Sequence, residues 1–455
     1  MKNEDKKVKV ITYGTYDMLH HGHVRLLKRA KELGDYLIVG VTAEDFDKNR
    51  GKINVKQSLM ERIEAVRATG LADEIIVEEY EGQKIDDIKR YDVDIFTVGS
   101  DWVGKFDYLN EYCKVIYLER TEGISSTQLR SEENVTRLGL VSDFDNIGKY
   151  IKETSFVNGI EVTGAFTHNS EINSIFEDNN IKLYDEYEDL VKNVDAVYIA
   201  SLPTKHYEQI FYALDNGVNV LCETPISLKA DEARELFDKA KEKGLVLMEA
   251  NKTAFATAYN RLMLLAKGGK IGKVVSVDAT CTSLDERLND SNYRRTSQNS
   301  MCAWGTIVML PVLQILGTEY KSLEFTTLYG DEDKFDLFTR MNFIYDNAIA
   351  NLKVGKGVKS EGELIVTGTK GYIYVPAPWW KTDYFEIRYE NQNMNRRYFY
   401  QLDGEGIRYE LVAFVKSITN GKDQSYIDND MSILMSGIIE KFNNGENVTE
   451  IKIGD

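Results

Sequence analysis

The sequence predicts an α/β protein that opens with a doubly wound parallel sheet and later restarts with a second α/β unit. Three observations carry that expectation. Short β-branched runs alternate with amphipathic stretches of helix length, at the spacing of strand–helix–strand units. The pattern breaks at the polar stretch Ser131-Glu-Glu-Asn134 and begins again at Thr136-Arg-Leu-Gly-Leu-Val-Ser142. A chain of 455 residues also exceeds what one core normally organises, so two or three domains are expected.

In chain order, strands are expected near 8–13, 36–42, 74–77, 94–98 and 114–118, with helices near 22–33, 58–68, 82–90 and after 125. The first strand, Val8-Lys-Val-Ile-Thr12, is β-branched and short. The helix after it places Val24, Leu27, Ala30 and Leu33 on one face before Gly34 stops it. Beyond the break come the strand 136–142, a helix near 146–156 and the strand 160–166. Asp195–Thr204 and Val218–Glu223 read as two further buried strands.

A hydrophobic fraction of 43% with 28% charged residues describes a globular chain. The formal charge of −17 argues against a general nucleic-acid or membrane-surface binder, which needs an electropositive face. No apolar run reaches 18 residues, the start Met1-Lys-Asn-Glu-Asp-Lys-Lys7 lacks an apolar segment, and the four cysteines are far apart. A cytoplasmic location is expected.

Three of the five histidines fall in Tyr13-Gly-Thr-Tyr-Asp-Met-Leu-His20-His21-Gly-His23, where a strand turns into a helix. Such a turn aims backbone N–H groups and the positive end of a helix dipole outward, which suits a polyphosphate. His20 and His23, three apart, would face the same way and add donors where charge builds on a phosphoryl oxygen. A metal-binding pair or two surface histidines would fit the fragment as well. A second run, Arg120-Thr-Glu-Gly-Ile-Ser-Ser-Thr127, follows the strand Lys114–Leu118 and offers a guanidinium, hydroxyls and helix-start amides to one anion. Read alone it would also serve as a helix cap, with Ser125 or Ser126 at the N-cap.

With Gly99-Ser-Asp-Trp-Val-Gly-Lys-Phe-Asp107 added, these motifs make the first 130 or so residues resemble the glycerol-3-phosphate cytidylyltransferase family of HxGH nucleotidyltransferases. The resemblance implies that His20, His23, Lys52 and Arg120 are catalytic, holding the triphosphate and neutralising charge in the transition state. It places Gly14, Thr15, Tyr16, Asp17, His21, Gly22, Asp101 and Trp102 at the nucleotide. Thr121, Gly123, Ile124, Ser125, Ser126 and Thr127 would close over it. Arg50 and Lys84 fall where the family meets its second substrate. CTP with Mg²⁺, and a polyol phosphate, are the implied partners; no resident metal ligands are assigned. The implied product is a CDP-polyol for cell-surface polysaccharide or teichoic-acid-like polymers, made by a homodimer. Adenylyltransferases share the His-x-Gly-His turn, and the octapeptide favours cytidine by resemblance only.

Two departures bear on the acceptor. Arg62 matches a family arginine only with one residue inserted before it, and Gly70 stands where glycerol enzymes usually carry an arginine. A longer alditol phosphate therefore stands beside glycerol-3-phosphate.

From 135 onward, Asp195-Ala-Val-Tyr-Ile-Ala-Ser-Leu-Pro-Thr-Lys-His206 and Val220-Leu-Cys-Glu223-Thr224-Pro225 resemble the glucose-fructose oxidoreductase and inositol dehydrogenase family. So does Asp403-Gly-Glu-Gly-Ile-Arg-Tyr-Glu410. The resemblance implies three domains: a cytidylyltransferase domain over 1–132, a Rossmann-like domain over 135–255 and a C-terminal mixed-sheet α+β domain over 256–455. His206, Glu223, Thr224 and Pro225 are the second-half candidates, with Tyr207, Lys252 and Tyr259 behind them.

The family's chemical groups are mostly missing here. Its Gly-x-Gly-x-x-Gly turn reads Ser142-Asp-Phe144-Asp-Asn-Ile-Gly148, its lysine beside the nicotinamide is Thr224, and its acid–base helix aligns with Ala303-Trp-Gly305-Thr-Ile307-Val-Met-Leu310. Two readings stand for this half. It is an NAD(P)H reductase that makes the polyol phosphate for the first half, or a retired oxidoreductase kept for oligomerisation or binding. His206 is expected to cap the helix it begins, and Trp379-Trp380, after Pro376-Ala-Pro378, to be core or dimer contact.

Overall fold

The computed structural model describes residues 7–19, 21–43, 55, 57, 59–78, 82–119, 135–289, 293–294, 298–330, 334–400, 402–421 and 425–452. The chain divides into two compact units, Met1–Val135 with Phe156–Gly159, and Thr136–Ser155 with Ile160–Asp455.

The first unit is a parallel five-stranded sheet. Its strands are Lys9–Gly14 (β1), Tyr36–Thr42 (β2), Glu74–Glu78 (β3), Ile95–Gly99 (β4) and Lys114–Leu118 (β5), in the order β3-β2-β1-β4-β5. Helices His21–Lys31, Leu59–Ala68 and Gln83–Tyr91 connect them. Alternate residues of each strand bury against opposite layers. Val10, Leu37 and Val39 meet Leu27, Ala30 and Val66 on one face, while Ile11, Ile38 and Phe96 meet Ile88 and Val93 on the other. Burial on both faces is why these strands read as continuous apolar runs instead of alternating ones. The strand order reverses at β1 and β4, which pair through Ile11 and Phe96. The crevice at their carboxyl ends is the place where such sheets take ligands.

The second unit begins with another parallel sheet, formed by Thr136–Ser142 (β6), Ile160–Phe166 (β7), Ala196–Ala200 (β8), Asn219–Glu223 (β9) and Leu247–Ala250 (β10). Its order is β10-β9-β8-β6-β7, so the turn after β6 sits at its reversal point. One sequence expectation is corrected here. The run Asp195–Thr204 is not a single strand: β8 ends at Ala200, and Pro203 opens the helix Pro203–Asp215. Proline at a helix's first turn gives up an N–H that has no intrahelical partner anyway, and its φ is already helical.

The rest of the second unit is a mixed nine-stranded sheet among the described residues, beginning at Val274–Thr282 and ending at Val448–Ile451. Val274–Thr282 lies inside it, parallel to Ile349–Gly355 and antiparallel to Leu364–Gly368. Helices Thr306–Leu316, Ile407–Asn420 and Asn429–Asn443 complete the unit. Both sheet types of the expected fold class are therefore present. No helix among the described residues is long and apolar enough to cross a membrane.

Candidate functional site

In the first unit the turn between β1 and its helix is held tightly. Arg62, fully buried, donates from Nη1 to the carbonyls of Thr15 and Thr42, each at 2.8 Å, and from Nε to the Gln57 carbonyl at 3.2 Å. Asp17 accepts the Gln57 backbone N–H at 3.0 Å, and the Gln57 side chain accepts that of Met18 at 2.7 Å. Tyr16 and Met18 take positive φ of 52° and 46° inside this clasp. Such backbone persists in non-glycine residues only where the surroundings impose it. Gly14 is required by closeness, because a Cβ there would sit 2.9 Å from the Tyr16 ring. That ring, itself buried, meets the His23 imidazole edge-on with centroids 5.5 Å apart.

Across the crevice, β4 delivers Asp101 and Trp102 on the 3₁₀ turn Ser100–Trp102. Both side chains are exposed, and Trp102 packs against Phe106 with Lys105 over its ring. The structure thus brings Gly14, Thr15, Tyr16, Asp17, Gly22 and His23 to one strand end and Asp101 and Trp102 to its neighbour's. His20, Arg50, Lys52, Arg120, Thr121, Gly123, Ile124, Ser125, Ser126 and Thr127 lie outside the described residues, as does the helix expected after 125. His21 opens the helix His21–Lys31.

Lys84, which resemblance gives to the second substrate, lies in the first turn of the helix Gln83–Tyr91. It is buried, ion-paired with the buried Glu78, and lies over the Tyr13 ring at 4.6 Å. Thr42 donates to Glu78 at 3.1 Å, Tyr13 to Asp87 at 2.9 Å, and Gln83 to Asp87 at 3.0 Å. Burial, followed by the Asp87 charge, pushes the Tyr13 phenol far up. This network ties the ends of β1, β2 and β3 to the helix Gln83–Tyr91. Gly70, where an arginine was expected, is a left-handed turn with open space around it.

The second unit carries a cleft of about 500 Å³ at the carboxyl end of its parallel sheet. Glu223 and Thr224 line it, whereas His206 and Pro225 do not. Both Tyr150 and Tyr198 donate to Glu223 Oε1 at 2.5 Å. Behind them Glu410 is fully buried, and neither of its oxygens has a hydrogen-bond partner among the described residues. Burial and then the Glu223 charge hold its carboxyl well above the usual range. Thr224 turns its hydroxyl to Glu249 at 2.5 Å. His206 is a buried brace between two segments, its ring nitrogens 2.8 Å from the Pro225 carbonyl and 3.1 Å from that of Ser201. Burial pulls its pKa below the ordinary histidine value. Tyr207 donates to Glu235.

Trp379 is core, as expected, with its indole N–H on the Thr280 carbonyl at 3.0 Å. Trp380 instead lines the cleft, 5.3 Å from the Trp304 ring. Lys149, Asn251 and Lys381 also line the cleft and had no motif to announce them, and Glu405, from the motif Asp403–Glu410, lines it too. The glycine-bracketed Gly404-Glu405-Gly406 was the one local signal.

A cytidylyltransferase-like family model matches residues 11–132. The glycerol-3-phosphate cytidylyltransferase of Bacillus spizizenii is 50% identical over 124 residues, which cover 27% of this chain and 95% of that enzyme. The chain belongs to the cytidylyltransferase family. Its cytidylyltransferase unit makes it a nucleotidyltransferase. For the remainder, a model of the oxidoreductase family with an NAD-binding Rossmann fold matches residues 144–251. Xenopus laevis trans-1,2-dihydrobenzene-1,2-diol dehydrogenase is 22% identical over 272 residues, 54% of this chain and 77% of that one. A 3-ketoreductase from Actinomadura kijaniata, solved with NADP and TDP-benzene, superposes with a TM-score of 0.63 at 17% identity, covering 70% of this chain and all of that one. At that identity the likeness is one of fold.

Proposed function

We propose that this cytidylyltransferase transfers CMP from CTP to a polyol phosphate, glycerol-3-phosphate or a longer alditol phosphate. A phosphomonoester oxygen attacks the α-phosphorus of CTP, the bond to the bridging oxygen breaks, and pyrophosphate leaves with a CDP-polyol formed. The observation that carries the reading is the clasped β1 turn presenting Thr15, Asp17 and His23 beside Asp101 and Trp102 at the sheet's reversal point. Such chemistry asks for positioning and charge neutralisation, not for a covalent nucleophile. His23 with His20 would hold the triphosphate, and Lys52 and Arg120 would neutralise it. Mg²⁺ arriving on the triphosphate would supply further positive charge. Pyrophosphate release with CTP and with ATP, against glycerol, ribitol and hexitol phosphates, tests both nucleotide and acceptor. Release with ATP alone, or with no polyol phosphate at all, would overturn the reading.

For the second unit, the residues at the turn after β6 do not fit a dinucleotide. Ser142 Oγ accepts the Phe144 N–H at 3.0 Å, and the Phe144 carbonyl accepts the Ile147 N–H at 3.3 Å. Asp143 accepts the His168 N–H at 2.8 Å and pairs with Lys205 at 3.2 Å. The Phe144 and Ile147 amides are thereby engaged, and Phe144 and Asp145 line the cleft where phosphates would need close backbone approach. This supports the retired-oxidoreductase reading. The reductase reading is favoured by one observation, the buried acid Glu410 behind Glu223 and Tyr150. Quenching or enhancement of NADPH fluorescence at stoichiometric protein would decide for it.

A further inference from the structure

The second unit's cleft gathers three lysines around one of its carboxylates. Lys381, Lys149 and Lys252 converge on Glu405 at 2.8, 3.1 and 3.6 Å. Three ammonium groups meet Glu405, and over the whole lining five Lys and Arg side chains face four carboxylates, Asp145, Glu223, Asp285 and Glu405, leaving one net positive charge on a chain whose formal charge is −17. The arrangement is built, not incidental. Glu405 has a φ of 55° and sits between Gly404 and Gly406, also left-handed at 56° and 92°. A Cβ on Gly404 would lie 2.0 Å from a Glu153 oxygen, and one on Gly406 would lie 2.8 Å from the Lys252 carbonyl. Only glycine therefore lets this turn close and carry Glu405 to the lysines.

Two further groups in the same cleft await a partner. Asn251 is 3% exposed, and neither its amide nitrogen nor its oxygen has a hydrogen-bond partner among the described residues. The Trp304 indole N–H is likewise buried and unpartnered. Leaving such groups unmet costs about 1–3 kcal/mol each, so a persistent cluster of them marks a place that a ligand's polar atoms complete. Trp304 and Trp380 add an aromatic wall that suits the C–H edge of a carbon chain bearing hydroxyls.

We propose that this cleft binds a polyol phosphomonoester, with its phosphate on Lys149, Lys252 and Lys381 beside Glu405 and its hydroxyls on Asn251 and Trp304. A phosphomonoester carries close to two negative charges at pH 7, and the three ammonium groups gathered at Glu405 supply charge-assisted donors for it. A tie between chain segments alone would need neither the third lysine nor the unmet amide. The volume, about 500 Å³, lies within the roughly 300–1,000 Å³ typical of small-ligand sites. The choice of a polyol as the ester rests on the acceptor proposed for the first unit. The second unit is then a holding or sensing site for that acceptor.

Isothermal titration of the full chain without nucleotide, using ribitol 5-phosphate, glycerol 3-phosphate, ribitol and inorganic phosphate, tests this. Each charge-assisted contact is worth roughly tenfold or more in affinity, so K252Q/K381Q is expected to weaken ester binding by about 100-fold or to abolish one site. Asn251→Ala, which removes no partnered group, is expected to weaken it about tenfold. Ribitol and inorganic phosphate should each bind at least about tenfold more weakly than the ester. An isotherm of K252Q/K381Q that superposes on the wild type overturns the proposal, as does inorganic phosphate binding as tightly as the esters. Pyrophosphate release by the wild-type chain with the same esters reads the first unit separately. Release without a cleft site defeats this proposal alone; a cleft site without release defeats the first-unit reading alone.

Discussion

Replacing Lys84 by methionine separates its two possible roles. The ammonium is buried against Glu78, also buried, beneath the Tyr13 ring. Methionine keeps much of the apolar stem and removes the charge, so Glu78 keeps the Thr42 hydroxyl at 3.1 Å but loses its buried cation. Two unit charges about 4 Å apart attract by roughly 4 kcal/mol at an effective dielectric constant near 20. Breaking one side of a buried pair costs about 3–5 kcal/mol for the same reason, because the surviving charge is uncompensated. Lys84→Met should thus destabilise the first unit by about 3–5 kcal/mol, and adding Glu78→Gln should recover much of that loss. Whole-chain unfolding signals mix two units, so the assay is hydrogen exchange of peptides from β1 to β5 in both variants. Protection unchanged in Lys84→Met, together with a tenfold or larger rise in KM for the polyol phosphate, would refute this reasoning and make Lys84 an acceptor ligand.

Three further outcomes are expected. His23→Ala should lower turnover in pyrophosphate release by about 100-fold or more, the usual loss on removing a transition-state donor; undiminished turnover would remove His23 from the mechanism. Burial would raise the Glu405 carboxyl, but hydrogen bonds from Lys381 and Lys149 together with the Lys252 charge bring it down to about 2. Its folded value lies below its unfolded one, so its stabilisation is complete above pH 4.5 and is lost as pH falls towards 2. The gap in thermal midpoint between wild type and Glu405→Gln should therefore be largest at neutral pH and shrink in acid. Asp336 is fully buried, which pushes its carboxyl up to about 7 against hydrogen bonds from Thr339 and Met301. The folded state then binds the extra proton, so stability falls as pH rises from about 4 to about 7. Asp336→Asn should remove that slope and gain on the wild type at pH 8, as read by urea unfolding at several pH values.

Much of this protein was legible locally. Parallel strands buried on both faces, a strand running into a histidine-bearing helix, and a β6 turn with phenylalanine and aspartates where glycines were expected are all short-range facts. They follow from backbone periodicity and from the steric and charge demands of a few adjacent residues. Pro203 was the exception, since an apolar run reads as strand until the proline's role as a helix starter is weighed.

What only the tertiary structure decided is which charges meet. Resemblance gives Lys84 a role but not its neighbours: folding places it over the Tyr13 ring and against Glu78, where burial favours an ion pair. Arg62, noted in sequence only for an offset match to a family arginine, becomes the clasp of the turn after β1 because three carbonyls from separate segments converge on it. Lys149, Lys252 and Lys381 come together on Glu405 from segments more than a hundred residues apart. Periodicity fixes which face a residue takes on its own element. Pairing across elements depends on how the chain closes, and no local pattern carries that information.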